Sequence, residues 1–582
     1  MASWLVLSVI CLPWVGGLCV WGLGDKRPSL QHALASIFAV AGGLLALALL
    51  PFASAAPVLQ IPLGGAFGVF TLIPDGLGIY LTIIATVVGS LAVIFSNDYM
   101  KGEAQLGRYY ALVLLFIGAM SGLVLSGSLL HMFIFWEITA FCSYALISFH
   151  NDDPKAVAGG IKALIITQVG GIGLLIGALV AYAFLGSYQI TTFLEQANSL
   201  PAGVLGFIAF GFLIAAAAKS AQLPFQTWLP DAMEAPTPIS ALIHAATMVN
   251  AGVYLLARFF PAFKSVPGWT LAVMLVGMLS ALMAGIMAVV ANDLKRTLAY
   301  STISQLGYMV YAIGCGAVFA SQFHLMSHSV FKALLFLGAG AVIHTVGTRD
   351  MRQMGGLGIQ MPFTRLVFII GAAGLAGIPI ANGFFSKELL LEGGIEGGPF
   401  WAYLIMLLVA GITAFYSLRM VWMVFYGQSK SKTHFHDAPA RMRIALFLLA
   451  LGTLATWILV GPFSGLLKES LPFHEIHSES TLAFVLKIIT APATWVALGI
   501  VAIGLAFWMI RDKLTVLEKA LKPLGVWAEK SFGFEWINQQ IIRNTQLIAE
   551  GLRRTQTGQL NWNVVGIVGG LVIVLFVLIW GV

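Results

Sequence analysis

Long apolar stretches separated by short polar connections run along almost the whole chain. Sixteen of them contain about 20 residues each, the length that a helix needs to cross the hydrocarbon core of a membrane. They lie at residues 2–23, 31–51, 77–96, 109–127, 129–149, 162–185, 203–222, 238–260, 269–291, 296–316, 322–345, 363–393, 400–425, 442–461, 485–510 and 563–581. The pattern predicts an all-α membrane protein with about sixteen spans.

One long stretch, residues 511–562, is polar enough to leave the bilayer before the last span. Within it Ile537, Ile541, Ile548 and Leu552 recur at helical spacing beside charged residues. This spacing predicts an amphipathic helix that lies along the membrane or along a neighbouring subunit. An ordinary interfacial linker is the alternative, and composition does not separate the two.

The seventh and twelfth spans contain helix-breaking residues at their middles. Pro224 and three further prolines follow Lys219, and Pro379 precedes Lys387. A broken backbone at membrane depth is tolerated only where protein or water covers it. A pair of interrupted spans indicates two inverted repeats in a transporter, whereas prolines alone also produce plain kinks.

Composition supports the membrane class and excludes others. The 582 residues are 59% hydrophobic and 9% charged, whereas a soluble protein carries about 25% charged residues. The net charge of +7 comes without a basic patch interleaved with aromatic residues, so nucleic-acid binding has no support. The first span lacks the basic start of a cleaved signal peptide, so we expect it to be retained.

Basic residues orient the spans. Connections after odd-numbered spans carry Lys26, Arg27, Lys101, Arg108, Lys155, Lys295, Arg296, Arg349, Arg352, Lys430, Lys432, Arg441 and Arg443. Connections after even-numbered spans carry little besides Arg258, Lys264 and Lys468. Because basic residues stay on the cytoplasmic side, both termini are predicted to face away from the cytoplasm, in the inner membrane.

The chain shows no motif for a cofactor of its own. Its four cysteines lie in apolar segments without a CxxC pair, and neither a P-loop nor a strand-associated GxGxxG is present. These features argue against an iron–sulfur, zinc or nucleotide site. His324 and His328 could hold a metal, but no third ligand lies in the same span and Lys332 would repel a cation.

Ionisable residues inside the apolar spans carry the candidate chemistry. They are Glu137, Lys219, His244, His324, His328, Lys332, His344, Lys387 and Glu388, with Lys162, Asp293 and Lys295 nearer the span ends. A charge at mid-bilayer costs about 2.5–3.5 kcal/mol, so such residues normally face a bundle interior and belong to ion or proton pathways. His324, His328 and Lys332 are four residues apart, which aligns them on one helix face over about 12 Å.

These residue types suit a proton wire. A lysine removed from water holds its proton less tightly and a nearby carboxylate restores the affinity, so a lysine–glutamate pair acts as a switch. A neutral histidine accepts a proton near neutral pH and passes it on. Glu137 and the lysines would therefore be charged stations, with the histidines as relays between them.

Structural roles are the alternatives. We interpret His344 as a core histidine bonded to a neighbouring helix. Lys162, Lys295 and Lys387 could extend their ammonium groups to the membrane interface as anchors. Glu137 lies too deep in its apolar span for such an explanation, as does Lys219.

Five segments carry a family resemblance: FWEITAFCSYALI, AKSAQLPFQTWLPDAMEAPTPISALIHAATMVNAGVYLLAR, NDLKRTLAYSTISQLGYM, FHLMSHSVFKALLFLGAGAVIH and NGFFSKELL. They resemble the antiporter-like subunits of respiratory complex I, above all its distal L subunit, and the resemblance is strong over residues 70–425. The same core occurs in the large subunits of Mrp-type sodium/proton antiporters and in membrane-bound hydrogenases and formate hydrogenlyases.

The resemblance implies fourteen core helices with two inverted five-helix repeats, broken helices 7 and 12, a C-terminal lateral amphipathic helix and a last anchoring span. The implied domains are residues 1–108 (helices 1–3), 109–260 (first repeat), 261–425 (second repeat), 426–510 (helices 14 and 15), 511–562 (lateral helix) and 563–582 (anchor).

The resemblance also implies roles for the residues that match. Glu137 would pair with Lys219, and His244 would be the eighth-span relay. The eleventh-span residues His324, His328 and Lys332 would connect the two halves, and Lys387 would be the exit lysine. Lys162, Asp293, Lys295 and Glu388 would support this path, with Asp293 and Lys295 near the cytoplasmic side.

Gln168 and Gly171 depart from the family pattern, because distal complex I subunits commonly carry Arg and Asp at these places. The neutral pair is more like Mrp large subunits or hydrogenase relatives, although Mrp large subunits tend to have a lysine where this chain has Asn250. The polar stretch before the last span would form a helix of at most about 75 Å, shorter than the lateral helix of conventional complex I.

Three functions remain open. The first is a proton-pumping subunit of a complex I-like respiratory assembly, a translocase like NADH:quinone oxidoreductase, with flavin, iron–sulfur clusters and quinone in partner subunits. The second is an Mrp-type sodium/proton antiporter subunit. The third is the proton channel of a membrane-bound hydrogenase or of a bicarbonate or carbon dioxide uptake system. Expected partners are other antiporter-like membrane subunits, a redox arm, lipids and protons, with sodium in the second case.

Overall fold

The computed structural model describes residues 2–428, 435–555 and 568–570, and nearly all of them are helical. The long helices are α1 (Ala2–Gly22), α2 (Pro28–Leu47), α3 (Gly76–Tyr99), α4 (Leu106–Leu125), α5 (Leu129–Ile147), α6 (Pro154–Leu185), α7 (Ala202–Lys219), α8 (Thr237–Phe263), α9 (Trp269–Val290), α10 (Leu294–Gly314), α11 (Val318–Val346), α12 (Pro362–Ala376), α13 (Asn382–Gly397), α14 (Phe400–Tyr426), α15 (Ala440–Ser470), α16 (Thr481–Thr490), α17 (Pro492–Met509), α18 (Thr515–Glu529) and α19 (Phe534–Thr555). Short helices at Ile190–Gln196 and Trp228–Asp231, several 3₁₀ turns and an antiparallel hairpin, β1 (Leu59–Pro62) and β2 (Val69–Leu72), are also present.

The predicted multi-pass membrane fold is confirmed. Among the residues that the structure describes, 13 helices are long and apolar enough to cross a membrane, and each matches a predicted span. The tenth predicted span is α10, whose sequence is more polar, and the twelfth is divided between α12 and α13. The predicted sixteenth span, 563–581, lies outside the described residues except for 568–570.

Side chains at the helix starts satisfy backbone groups that the helices leave without partners. The Asp75 carboxylate accepts from the Gly78 amide at 2.9 Å and starts α3. The Asp293 carboxylate accepts from the Arg296 amide at 3.0 Å and starts α10. Such N-caps are worth about 0.5–2 kcal/mol each, so these two carboxylates already have a structural role.

Both predicted helix breaks are present. Helix α7 ends at Lys219 and the next helical turn begins at Trp228, with Pro224 in the gap, while Pro379 lies in the gap between α12 and α13. The first gap is covered by protein, since the Trp228 indole donates to the Ala218 carbonyl at 2.9 Å and the Leu223 amide donates to Ser280 Oγ at 2.9 Å.

Helix α8 lies wholly inside the bundle and is irregular near its middle. The apolar segment of this helix is entirely buried. Residues Leu242–Ala246 form a π-helical turn that contains His244. At the next residue, Thr247, the backbone leaves helical geometry with φ −133° and ψ −104°. Such π-turns are frequent at functional sites, and this one rotates the His244 side chain relative to a regular helix.

Two details of the sequence interpretation are wrong. Residues 485–510 are not one helix, because the chain turns at Ala491 and Pro492 begins α17 after the short α16 has ended. His344 is not a core histidine: it is exposed in the last turn of α11, with its ring 5.3 Å from that of Tyr99.

The contacts divide the chain into two units, residues 1–525 and 526–582. In the second unit, α19 carries the predicted apolar residues Ile537, Ile541 and Ile548 on an exposed face. The segment is therefore a helix with one apolar side. Its placement along the membrane or along other subunits stays a prediction.

A buried ion pair joins α8 to the start of α3. The Arg258 guanidinium contacts the Asp75 carboxylate, and both side chains are almost fully buried. Arg258 Nε also donates to the Tyr254 hydroxyl at 3.2 Å, and that hydroxyl donates to the Val124 carbonyl at 3.0 Å. Three helices therefore meet at one charged group.

We expect Arg258→Met to lower the free energy of unfolding by about 3–5 kcal/mol, because it leaves Asp75 charged, buried and unpaired. The matched control is Lys264→Met, which breaks the exposed pair with Glu475 and should cost less than about 1 kcal/mol. Thermal unfolding of the detergent-solubilised protein measures both. Equal melting temperatures for the two variants would contradict the prediction.

Candidate functional site

Four lysines are buried in the bundle: Lys219, Lys295, Lys332 and Lys387. Each donates a hydrogen bond to a backbone carbonyl oxygen, and none forms an ion pair with a carboxylate among the described residues. The bonds run from Lys219 to Trp136 at 2.8 Å, from Lys295 to Ala235 at 2.6 Å, from Lys332 to Leu298 at 3.1 Å and from Lys387 to Leu375 at 2.8 Å. An ammonium group removed from water in this way is costly for the fold.

The anchoring alternative is wrong for two of the three lysines near span ends. Lys295 and Lys387 point into the protein and are buried, so neither reaches the membrane interface. Lys162 is partly exposed but pairs with Asp231 at 2.7 Å.

The first charged station lies where α7 ends beside α5. Lys219 Nζ donates to the Trp136 carbonyl and lies 4.8 Å from the centre of the Trp136 indole ring. Glu137 is the next residue, and its Oε1 is buried without a hydrogen-bond partner among the described residues. The two groups are neighbours that interact through space and do not touch.

Gln168 and Gly171 on α6 form the other side of the Glu137 carboxylate. The Gln168 side chain interacts with the carboxylate, and a Cβ atom at Gly171 would lie 2.7 Å from Glu137 Oε1. The neutral residues that depart from the family pattern therefore contact the proposed switch directly. Because Gly171 has no side chain, the Glu137 carboxylate can occupy the space beside it.

Three histidines occupy the centre of the bundle. His324 is held at both ring nitrogens, by Ser386 Oγ at 2.9 Å and by Gln305 Oε1 at 3.1 Å. The ring of His328 lies 6.3 Å from that of His324, between centroids. Neither nitrogen of His328 has a partner among the described residues, and the same holds for His244. Buried polar atoms normally have partners, so these rings are available for transient hydrogen bonds with water.

The second and third stations flank these histidines. Lys332, one turn beyond His328 on α11, donates to Ser301 Oγ as well as to Leu298. Lys387 on α13 donates to the carbonyl of Leu375, in the last turn of α12, where the helix dipole favours a positive charge. Glu388 follows it, is buried, and interacts with Thr494.

A network of ion pairs lies near the buried Lys295. Asp293 pairs with Arg349 at 3.1 Å, and Arg349 pairs with Glu234 at 3.0 Å. Asp231 joins Lys162 to Arg296 at 3.1 Å. These contacts tie connections together and give Asp293 and Lys162 ion-pair partners, while the supporting role of the two residues in the proton path stays a prediction.

Sequence reasoning missed the neutral polar partners of the buried bases. Ser301 and Gln305 lie one turn apart on α10 and contact Lys332 and His324, and Ser386 contacts His324 from α13. The polarity of α10 within an apolar region was the signal that could have identified the first two. No group of three or more His, Cys, Asp or Glu side chains positioned for a metal ion occurs in the described part of the chain.

Comparison with known proteins identifies the family. The transmembrane model of the NADH:quinone oxidoreductase/Mrp antiporter family matches residues 126–413, and the model for the N-terminus of complex I chain 5 matches residues 66–110. NADH-quinone oxidoreductase subunit L of Escherichia coli (strain K12) is 36% identical over 543 residues, which cover 88% of this chain and 87% of that protein. The chain belongs to this family.

Other members of the family match parts of their length. F(420)H(2) dehydrogenase subunit L of Methanosarcina mazei is 42% identical over 418 residues, 66% of this chain and 62% of that protein. In the structure of the Mrp complex from Dietzia sp. DQ12-45-1b, one chain superposes with a TM-score of 0.85 at 28% identity, covering 99% of this chain and 63% of that chain. The chain is thus an antiporter-like membrane subunit of a family whose members include both redox and Mrp proteins.

We expect Lys332→Met to leave the melting temperature unchanged or to raise it, because a buried ammonium is replaced by an apolar side chain of similar length. Ser301 and the Leu298 carbonyl retain other hydrogen bonds within α10. Thermal unfolding in detergent is the measurement, with Arg258→Met as the destabilised reference. If Lys332→Met unfolded as early as Arg258→Met, the lysine would be a structural residue.

Proposed function

We propose that the chain translocates protons as a membrane subunit of a complex I-like respiratory assembly, driven by redox chemistry in partner subunits. The observation that supports this most is the row of titratable side chains through the bundle, of which all but the partly buried Glu137 are buried. Along the proposed route they are Glu137, Lys219, His244, Lys332, His328, His324 and Lys387. Such groups are costly in a membrane interior and are normally kept for ion passage.

The first half of the route is the switch at Lys219. Bringing the Glu137 carboxylate to the ammonium favours the charged lysine, and separating the two favours proton release. In the structure the Lys219 ammonium donates to the carbonyl of Trp136, and the next residue, Glu137, carries the carboxylate. A small movement of α5 would therefore change the distance between the ammonium and the carboxylate. His244, in its π-turn, takes the released proton towards Lys332, with which it interacts electrostatically.

The second half runs along α11 and ends on α13. His328 interacts electrostatically with His244, His324 and Lys332, and it therefore joins the two halves. His324 contacts Ser386, the residue directly before Lys387. A protonated His324 would thus be in direct contact with α13, the helix that carries Lys387.

The two broken helices support an organisation as inverted repeats, residues 109–260 and 261–425, with one buried lysine at each break. Lys219 ends α7 before the first gap, and Lys387 contacts the helix end beside the second. We place the chain in the inner membrane with both termini on the non-cytoplasmic side, because most basic connections would then be cytoplasmic.

Partner subunits would supply the driving force. Glu137 is only partly buried and lies on α5 near the exposed apolar residues Ile134 and Phe141. A neighbouring subunit on this face would place its own charges near the switch. Flavin, iron–sulfur clusters and quinone would belong to such partners, since no cofactor motif occurs in this sequence.

An Mrp-type sodium/proton antiporter subunit is the second candidate, favoured by the neutral Gln168 and Gly171 beside Glu137. The Dietzia sp. structure of similar fold is an Mrp complex. Mass spectrometry of the complex purified from native membranes decides between the candidates. Quinone-reductase or hydrogenase subunits would support the first, and a set of antiporter subunits alone would support the second.

We expect Lys219→Met and Lys387→Met each to reduce proton translocation by about tenfold or more, because each removes one station that must carry the proton. The assay follows a pH-sensitive dye in vesicles that hold the intact complex. Lys26→Met, which changes an exposed lysine in the α1–α2 connection, is the control. Wild-type translocation by both station variants would refute the proposed route.

We expect Gly171→Ala to impair translocation while the fold persists, because the new methyl group would displace the Glu137 carboxylate. Gly206→Ala on α7 is the matched control, since its Cβ would meet only Val266 Cγ1 at 3.8 Å. The same vesicle assay and the melting temperature are measured for both variants. Equal translocation by the two would show that the position of the carboxylate does not matter.

A further inference from the structure

Three glutamates follow Lys387 along one face of α13. Glu388, Glu392 and Glu396 are four residues apart, which aligns their side chains over a rise of about 12 Å. Their exposure increases in order: Glu388 is 7% exposed, and the side chains of Glu392 and Glu396 are 22% and 67% exposed. The series therefore leads from the buried end of the route to the surface.

The last two glutamates line an open cavity of about 330 Å³, here called the acidic vestibule. Its wall also includes Glu475, Glu479, Lys264 and His474. The wall is formed by α13 and by the connections α8–α9, α10–α11 and α15–α16. The three connections follow even-numbered predicted spans, and they therefore lie on the side of the bundle whose connections carry few basic residues.

Opposite charges and an imidazole that is bonded at only one ring nitrogen among the described residues make the vestibule polar. Lys487 on α16 lies 3.1 Å from Glu392 and 3.9 Å from Glu396. His474 Nδ1 is buried without a partner among the described residues, while its Nε2 bonds the Ala257 carbonyl. Burial lowers the pKa of His474 to about 4, so this ring is neutral at pH 7.

The opposite face of α13 is closed by tight packing. A Cβ atom at Gly394 would lie 2.4 Å from the Tyr311 hydroxyl oxygen. Glycine at this place lets α13 pack directly against the end of α10. A proton that leaves the Lys387 region along α13 therefore has the glutamate face as its polar route.

We infer that the acidic vestibule is the outlet of the proton route, and that Glu392 is the group that passes the proton from the Lys387–Glu388 pair to bulk water. This inference rests on the proposed function, since it names the outlet of that same route. Lys487 would act as the counter-ion that holds the side chain of Glu392 in place.

The transfer is a balanced sequence of proton movements. The Lys387 ammonium gives its proton, through water, to the ionised Glu388 carboxylate and becomes a neutral amine. Protonated Glu388 gives the proton to ionised Glu392, one turn further along α13. Protonated Glu392 then releases it to vestibule water, and Glu392 returns to its pair with Lys487.

We expect Glu392→Gln to lower translocation on the order of tenfold, because the amide cannot take the proton. Glu396→Gln should have a smaller effect, since water reaches that position. The control is Glu195→Gln, which removes an exposed carboxylate on the Ile190–Gln196 helix that is not part of the vestibule wall. The intact complex in vesicles is assayed with a pH-sensitive dye. Full translocation by Glu392→Gln, with loss in Lys387→Met, overturns the outlet and leaves the proposed function intact.

A second measurement tests the vestibule without relying on translocation. Glu392→Cys and Glu396→Cys are treated with a membrane-impermeant cationic methanethiosulfonate, and the unmodified chain gives the background of its native cysteines. We expect labelling of both positions from the non-cytoplasmic side, and block of transport after labelling of Glu392→Cys. Labelling only after the membrane is permeabilised would overturn the inference. If translocation were absent even in the unmodified complex, the proposed function and the outlet that rests on it would fail together, whereas labelling would still report water access.

Discussion

A charged lysine inside a membrane bundle must be solvated by the protein itself, and the structure depends on how this is done. Carbonyl oxygens take the place of water at all four buried lysines. Two of these oxygens, at Ala235 and Leu375, lie where helical backbone is interrupted and carbonyls are left without intrahelical partners. The breaks and the buried charges therefore satisfy each other. A continuous helix would have fewer carbonyl oxygens free to accept a hydrogen bond from a lysine. An apolar side chain in place of the lysine would leave the carbonyls of Ala235 and Leu375 without this donor.

Within the described part of the chain these lysines form no direct ion pair with a carboxylate, which fits the proposed transport role better than a structural one. Where the molecule needs a strong buried clamp, it uses arginine with a carboxylate, as at Arg258 and Asp75. Arginine keeps its proton under all ordinary conditions, whereas lysine can lose it. The distribution of the two residue types thus separates an arginine that holds helices together from the lysines of the proposed proton route.

The surroundings of Glu137 show how a departure from the family pattern is accommodated. With Gln168 and Gly171 in place of charged residues, the carboxylate interacts with a neutral side chain and occupies the space beside the glycine. Its electrostatic partner within the chain is then Lys219. Because α6 has no charged side chain at these two positions, charges of an adjoining subunit would be the main additional influence on the Glu137–Lys219 pair. This arrangement suits a switch that a partner subunit controls.

The sequence by itself determined most of the spans, both helix breaks and most of the buried titratable residues, because long apolar runs, central prolines and isolated charges each carry a local signal. It also pointed correctly to the family. Only the tertiary structure decided which group each side chain contacts. Lys219 meets the carbonyl of a residue 83 positions away rather than a carboxylate, and Lys295 is buried rather than anchored at the interface. The glutamate face of α13 opens into a cavity built from four distant segments. Long side chains have many possible partners, and packing between remote helices selects among them.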